Sequence, residues 1–162
     1  EVVISNMPSL FDVQTTDWTE NENSITVITS NNALYSYSLD DVIYQDSNVF
    51  SNLISGLYTV YVKDKLGCGK ISKTVWLLHY PKFFTPNGDG YNEFWKIKYS
   101  QFEPNLKVII YDRYGKVITS FNAQSQGWDG NYNGQMLFAD DYWFVVTRQD
   151  GRIHKGHFCL KR

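Results

Sequence analysis

Between Leu57 and Lys63 the chain alternates with a period of two: Tyr58, Val60 and Val62 fall on one side, Thr59, Tyr61 and Lys63 on the other. Only a strand sends successive side chains to opposite faces, so this pattern belongs to an extended segment with one face buried. Similar runs recur at 24–29, 33–39 and 71–78, and again at 93–99, 106–111, 116–121, 142–148 and 153–160, with turn residues between them. No window of 11 residues places apolar side chains convincingly at i, i+3, i+4 and i+7, so no helix is expected. Composition agrees. The chain has 12 Tyr, 10 Phe and 5 Trp, and its alanines are Ala33, Ala123 and Ala139 alone. Aromatic and β-branched residues suit a pleated, half-buried surface, whereas alanine is the best helix former. The fold class is therefore all-β, and the spacing of strands and turns points to two consecutive antiparallel β-sandwich (Ig-like) domains.

Proline and glycine punctuate this pattern. Pro81 and Pro86 cannot donate to a ladder, so residues 79–86 read as a linker and the boundary falls near 79–83. The expected domains are 1–79 and 80–162. In the second, Glu93–Tyr99 is read as a strand with Trp95, Ile97 and Tyr99 on one face and Lys96 and Lys98 on the other. Asp112-Arg113-Tyr114-Gly115 reads as a hairpin turn, and Gly127-Trp128-Asp129-Gly130, Asn133-Gly134 and Asp150-Gly151 mark further turns. Trp95, Ile97, Val108, Ile110, Tyr142, Phe144 and Val146 are the predicted core of this half. Most of the five tryptophans, Trp18, Trp76, Trp95, Trp128 and Trp143, are expected to fill cores, with Trp143 read as a buried aromatic whose truncation to Ala would cost about 3–5 kcal/mol; an exposed sugar-binding platform is the other reading.

Several function classes are disfavoured. A net charge of −2 and a pI near 5.9 create no field that attracts nucleic acid or acidic lipid. No apolar run approaches the ~20 residues of a membrane span. The chain begins at Glu1 without a signal-like apolar region, so it reads as a piece of a longer protein. Cys68 and Cys159 are too far apart for zinc spacing, leaving either one long-range disulfide or two unrelated buried thiols. His154 and His157, three apart on a strand, point to opposite faces, and His79 is isolated. Asp140 and Asp141 diverge as strand neighbours and make no acid–base pair. No nucleophile elbow or phosphate loop is present, so the chain is read as not an enzyme. One segment could hold a cation: Asn87, Asp89, Asn92 and Glu93 offer oxygens from a glycine-rich loop, as half of a Ca²⁺ loop would. The alternative is a turn closed by Asx hydrogen bonds. No other cofactor is implied.

Residues 83–162 carry a resemblance. Phe84-Thr85-Pro86-Asn87-Gly88-Asp89-Gly90-Tyr91-Asn92 resembles the opening of the type B C-terminal sorting domains of the type IX secretion system, found in gliding-motility-associated surface proteins of Bacteroidetes. Ile110–Lys116, Gly127–Gly130 with Asn133-Gly134, Asp141–Phe144 and Gly156–Arg162 resemble that family's further blocks, in the same order, the last ending the chain as the family's does. Cys159 stands where Thr or Ser is usual, and Phe138-Ala139 where Leu-Pro is more common. Residues 35–40, 49–50 and 56–64 resemble the Ig-like adhesin repeats that often precede such domains. The resemblance implies a targeting module that directs a large surface protein across the outer membrane to the cell surface. Its implied partners are the type IX secretion machinery and an outer-membrane protein of the PorP/SprF kind. A signal read after folding needs a surface, and exposed turns and edges are the candidates: Thr85, Asn87 and Asp89; Asp112, Arg113 and Tyr114; Lys161 and Arg162. Lys161 and Arg162, ending a strand, are expected to contribute little to the core. An adhesive or carbohydrate-binding module, carried mainly by residues 1–78, is the alternative function.

Overall fold

The alternating run lies within the strand Gly56–Asp64, the longest among the described residues of its half, and its inward residues Val60 and Val62 are fully buried. A computed structural model describes residues 11–162; residues 1–10 of the first expected domain lie outside the described residues. The chain divides into two compact units, Glu1–His79 and Tyr80–Arg162. The fold is all-β, with two short 3₁₀ turns at Asn32–Leu34 and Ser100–Phe102. Among the described residues, no helix is long and apolar enough to cross a membrane.

The first unit contains β1 (Asp12–Thr16), β2 (Asn23–Ile28), β3 (Tyr35–Ser38), β4 (Val49–Leu53), β5 (Gly56–Asp64) and β6 (Lys70–Leu77). Two three-stranded antiparallel sheets, in orders β1-β2-β4 and β3-β5-β6, share one core of Ile25, Val27, Tyr35, Tyr37, Val60, Val62, Val75 and Leu77. β1 and β4 have no counterpart in the sequence reading, because neither shows a clean buried alternation. Asn23 is fully buried where β2 and β4 shift register. Its amide donates to the Leu53 carbonyl at 2.9 Å and the Thr19 carbonyl at 3.0 Å, which satisfies a polar group that would be costly to bury alone. Asp64 closes the turn after β5 by accepting from the Leu66 and Cys68 amides, each at 3.2 Å.

The second unit contains β7 (Phe83–Phe84), β8 (Lys107–Tyr111), β9 (Val117–Asn122), β10 (Asn131–Tyr132), β11 (Gln135–Met136), β12 (Asp140–Thr147) and β13 (Ile153–Leu160). Five of these form one sheet in the order β7-β13-β12-β8-β9, and β10 and β11 make a separate hairpin. Asn133 and Gly134 both have positive φ, 50° and 78°, as the tightest two-residue hairpin turn requires. All seven predicted core residues are buried. Trp95 stacks on Phe158 with ring centroids 3.9 Å apart, and its indole donates to the Pro81 carbonyl at 2.8 Å. Phe144 packs across β13 at Gly156, where an added Cβ would lie 2.7 Å from the phenyl ring. Strand glycines often mark such close approaches.

Three expectations are corrected here. Residues 93–99 keep their alternating burial but form no strand. Trp95 makes an isolated bridge to Trp128, and Tyr99 turns the backbone out of extension at φ 66°. Residues 79–86 are not a free linker: Tyr80 and Phe84 are buried, and β7 pairs in parallel with the end of β13. The prolines flank this pairing without interrupting it. Finally, Cys68 is exposed rather than buried. Cys159 is partly buried, and both cysteines are free. Burial holds the Cys159 thiol above its usual pKa.

Candidate recognition site

Strand direction gathers the sequence-predicted segments. β13 ends at Leu160, beside Phe84 of β7 and opposite Asp140 at the start of β12. β8 ends at Tyr111, opposite Trp143. The loop after β7, the turn after β8, the entry to β12 and the tail after β13 therefore lie at one end of the five-stranded sheet.

The loop at 85–93 is shaped by its own polar groups. The Thr85 amide donates to the Asn92 carbonyl at 2.9 Å and the Asn87 amide to the Thr85 carbonyl at 2.9 Å. Asn87 Oδ1 accepts from the Asp89 amide at 3.1 Å, Asp89 Oδ1 from the Tyr91 amide at 2.7 Å, and Glu93 Oε1 from the Gly90 amide at 3.1 Å. The Tyr91 amide, helped by the Asn87 side chain, holds the Asp89 carboxyl below its usual pKa. Three of the four oxygen-bearing side chains proposed for a cation thus serve the turn. Among the described residues, no group of three or more His, Cys, Asp or Glu side chains converges.

The turn at 112–115 follows the same logic. Asp112 Oδ1 accepts from the Tyr114 and Lys116 amides, each at 2.9 Å, and Gly115 takes φ 81°. Asp112 is therefore a turn former. Arg113 reaches out of the turn to pair with Asp140, and this contact lowers the carboxyl's pKa and raises that of the guanidinium. Tyr114 projects at 86% exposure.

The tail is held by backbone carbonyls. Lys161 continues the pairing with β7 through its amide, which donates to the Phe84 carbonyl at 3.0 Å, and its ammonium lies 4.2 Å from the Phe83 ring centroid. Arg162 donates through Nε to the Leu137 carbonyl at 2.9 Å, through Nη1 to Pro86 at 3.1 Å and through Nη2 to Gly130 at 3.3 Å. A planar guanidinium with five donors can brace three loops at once, which a lysine ammonium cannot match in geometry. Gly130 is closely fitted beneath it: an added Cβ would lie 3.2 Å from Arg162 Nη2 and from Pro86 Cγ. Lys161 and Arg162 thus lie outside the core but are tied to backbone carbonyls of neighbouring segments.

Shallow clefts of about 390 and 400 Å³ flank Arg162. Glu93, Phe94, Asp129 and Met136 help line the first, and Asp140, Asp141 and Cys159 the second. Met136 and Phe138 are 71% and 89% exposed. The sequence motifs single out neither of them as a contact residue, nor the carbonyl groups that Arg162 binds. The Asn133-Gly134 signal located their hairpin but not its place beside the tail. Asp140 and Asp141 part as expected: one pairs with Arg113, the other faces solvent. Of the tryptophans, Trp95 and Trp128 are buried and Trp18 and Trp76 partly so, but Trp143, expected in the core, is 42% exposed, because strand alternation turns Tyr142 and Phe144 inward and Trp143 to the opposite face.

The described chain is thus all-β and gathers three loop segments and the tail at one end of its five-stranded sheet. The model of the CHU_C type IX secretion signal domain family matches residues 78–160, half of the chain. The chain belongs to that family, and so carries a secretion signal of a non-catalytic kind that implies export to the cell surface or beyond. No curated protein matches it. Among solved structures, the BSP domain of a biofilm-associated protein is similar at 12% identity and a TM-score of 0.34. That match covers 92% of this chain, which spans 29% of the other. Fibronectin(III)-like modules of Clostridium thermocellum CbhA are similar at 10% identity and a TM-score of 0.29, over 93% of each chain. These likenesses are too weak to bear on function.

Proposed function

We propose that residues 80–162 act as a folded address label, read by the type IX secretion machinery at the Arg162 end of the five-stranded sheet. Residues 1–79 are then an Ig-like repeat of the exported surface protein. The reader is an outer-membrane protein of the PorP/SprF kind. Thr85, Asn87, Asp89, Arg113, Tyr114 and Lys161 belong to the contact surface, while Asp112 and Arg162 shape it. The observation that carries this reading is the Arg162 brace, which ties Pro86 and Gly130, from two separate family-like blocks, to a third block at the tail and also holds the Leu137 carbonyl between them. Such a surface exists only after folding, so a linear peptide from any one block would be a poor signal.

The test is to fuse residues 80–162, and separately the whole chain, behind a periplasmic reporter in a type IX-competent cell. Surface delivery of both fusions is expected. A folded fusion that stays in the periplasm rejects the sorting role, and glycan binding without delivery favours the adhesive alternative.

A further inference from the structure

The inward face of the five-stranded sheet is explained by the core, but the outward face is not. Along β12 the buried Tyr142, Phe144 and Val146 alternate with outward Asp141, Trp143, Val145 and Thr147. Trp143 is 42% exposed, an unusual place for the largest side chain in a strand. Tyr111 of β8 lies opposite Trp143 on one side and His157 of β13 on the other. The Trp143 and His157 rings are 6.3 Å apart between centroids. Three sequence blocks thus contribute one ring row across the outside of the sheet. The next row inward from the end is Ile109, Val145 and Lys155, so aliphatic surface adjoins the rings.

Charge on this face is one-sided. Lys107, Lys155 and Lys161 stand on it against Asp141, although the whole chain carries a net charge of −2. Lys161 is held over the outward, 45% exposed Phe83 ring. Lysines around an apolar centre match an acidic protein surface with its own apolar side chains. The aliphatic row favours a protein over a glycan, which would need convergent polar groups beside the rings.

We propose that the outward sheet face centred on Trp143 is a docking surface for an acidic, partly apolar protein surface of the export apparatus. This rests on the sorting role and extends the contact region from the sheet end onto the sheet face.

The whole chain, fused to a periplasmic reporter, tests it in three variants: Trp143→Ser, Lys155→Glu and the two combined. Val42→Ser, in the other unit, controls for loss of an exposed apolar side chain. With melting curves and circular dichroism confirming folded protein, export is expected to fall at least tenfold in the double variant and to remain unchanged in the control. A photo-crosslinking residue at position 143 should yield a protein adduct whose linked peptide carries Asp or Glu. Exchanging one of those acids for Lys should restore export of Lys155→Glu. Full export of the folded double variant overturns the proposal, as does the absence of an adduct or an adduct of carbohydrate or lipid alone. If the unaltered fusion is not exported, the sorting role itself fails, and the two failures are thereby told apart.

Discussion

The Arg162 guanidinium donates to the Pro86 carbonyl at 3.1 Å across 76 positions of sequence, and the same group holds Gly130 and Leu137. Arg162→Lys keeps the charge and loses the fork. Because the side chain is largely solvent-exposed, the expected loss is small, about 1 kcal/mol, at the typical net value of such hydrogen bonds. Hydrogen exchange should quicken at residues 86–92 and 129–138 while amides of β8 and β12 stay protected. Unchanged exchange in those loops would show that the brace does not order them.

Trp95 and Trp143 should part company under truncation. Trp95 is fully buried, stacked on Phe158 and bonded to Pro81, so Trp95→Ala should cost about 3–5 kcal/mol and abolish export through unfolding. Trp143→Ala, on the outer sheet face, should cost less than about 1 kcal/mol. Chemical denaturation of the two variants checks the contrast, and equal losses would place Trp143 in the core.

Gly156→Ala puts a methyl group 2.7 Å from Phe144 and 3.0 Å from the Tyr80 hydroxyl. Both neighbours are buried, so the ring cannot simply swing aside. Overpacking of this kind costs about 1–3 kcal/mol, read as a lower denaturation midpoint. Pairing it with Phe144→Leu should recover part of the loss.

His154 sits among Tyr80 and Phe144, and burial, with a smaller contribution from Lys82, holds its pKa below the usual 6.5. The folded state therefore binds the proton less readily than the unfolded chain. Its contribution to stability is complete above the unfolded pKa and shrinks as pH falls below it. The melting temperature should fall between pH 7 and pH 5, and His154→Gln should flatten that part of the profile. An identical slope in the variant would assign the dependence to other groups.

The 85–93 loop closes on its own side chains, so stripping cations should leave it intact. Melting temperature is expected to be the same in EDTA and in millimolar Ca²⁺. A rise with Ca²⁺ that Asp89→Asn abolishes would instead establish the cation site.

Alternation along the chain determined which side chains are buried, even where no ladder forms. Trp95 and Ile97 are core residues in a segment with isolated bridges alone, because the pattern records burial and not the partner that would complete a sheet. Local signals also sufficed at Asn133-Gly134 and at the Asp112 turn, where the residues that specify the conformation are those that adopt it. Tertiary structure alone decided the rest. The Asp141–Phe144 block offers three aromatic residues in succession; alternation sets Trp143 on the face opposite Tyr142 and Phe144, but only the structure shows that this face stays exposed and aligns Trp143 with Tyr111 and His157. Arg162 likewise looks like a solvated chain end, since its acceptors are backbone carbonyls 25, 32 and 76 positions away. Every residue carries such a carbonyl, so nothing in the local sequence distinguishes the three that chain packing brings within reach of one guanidinium.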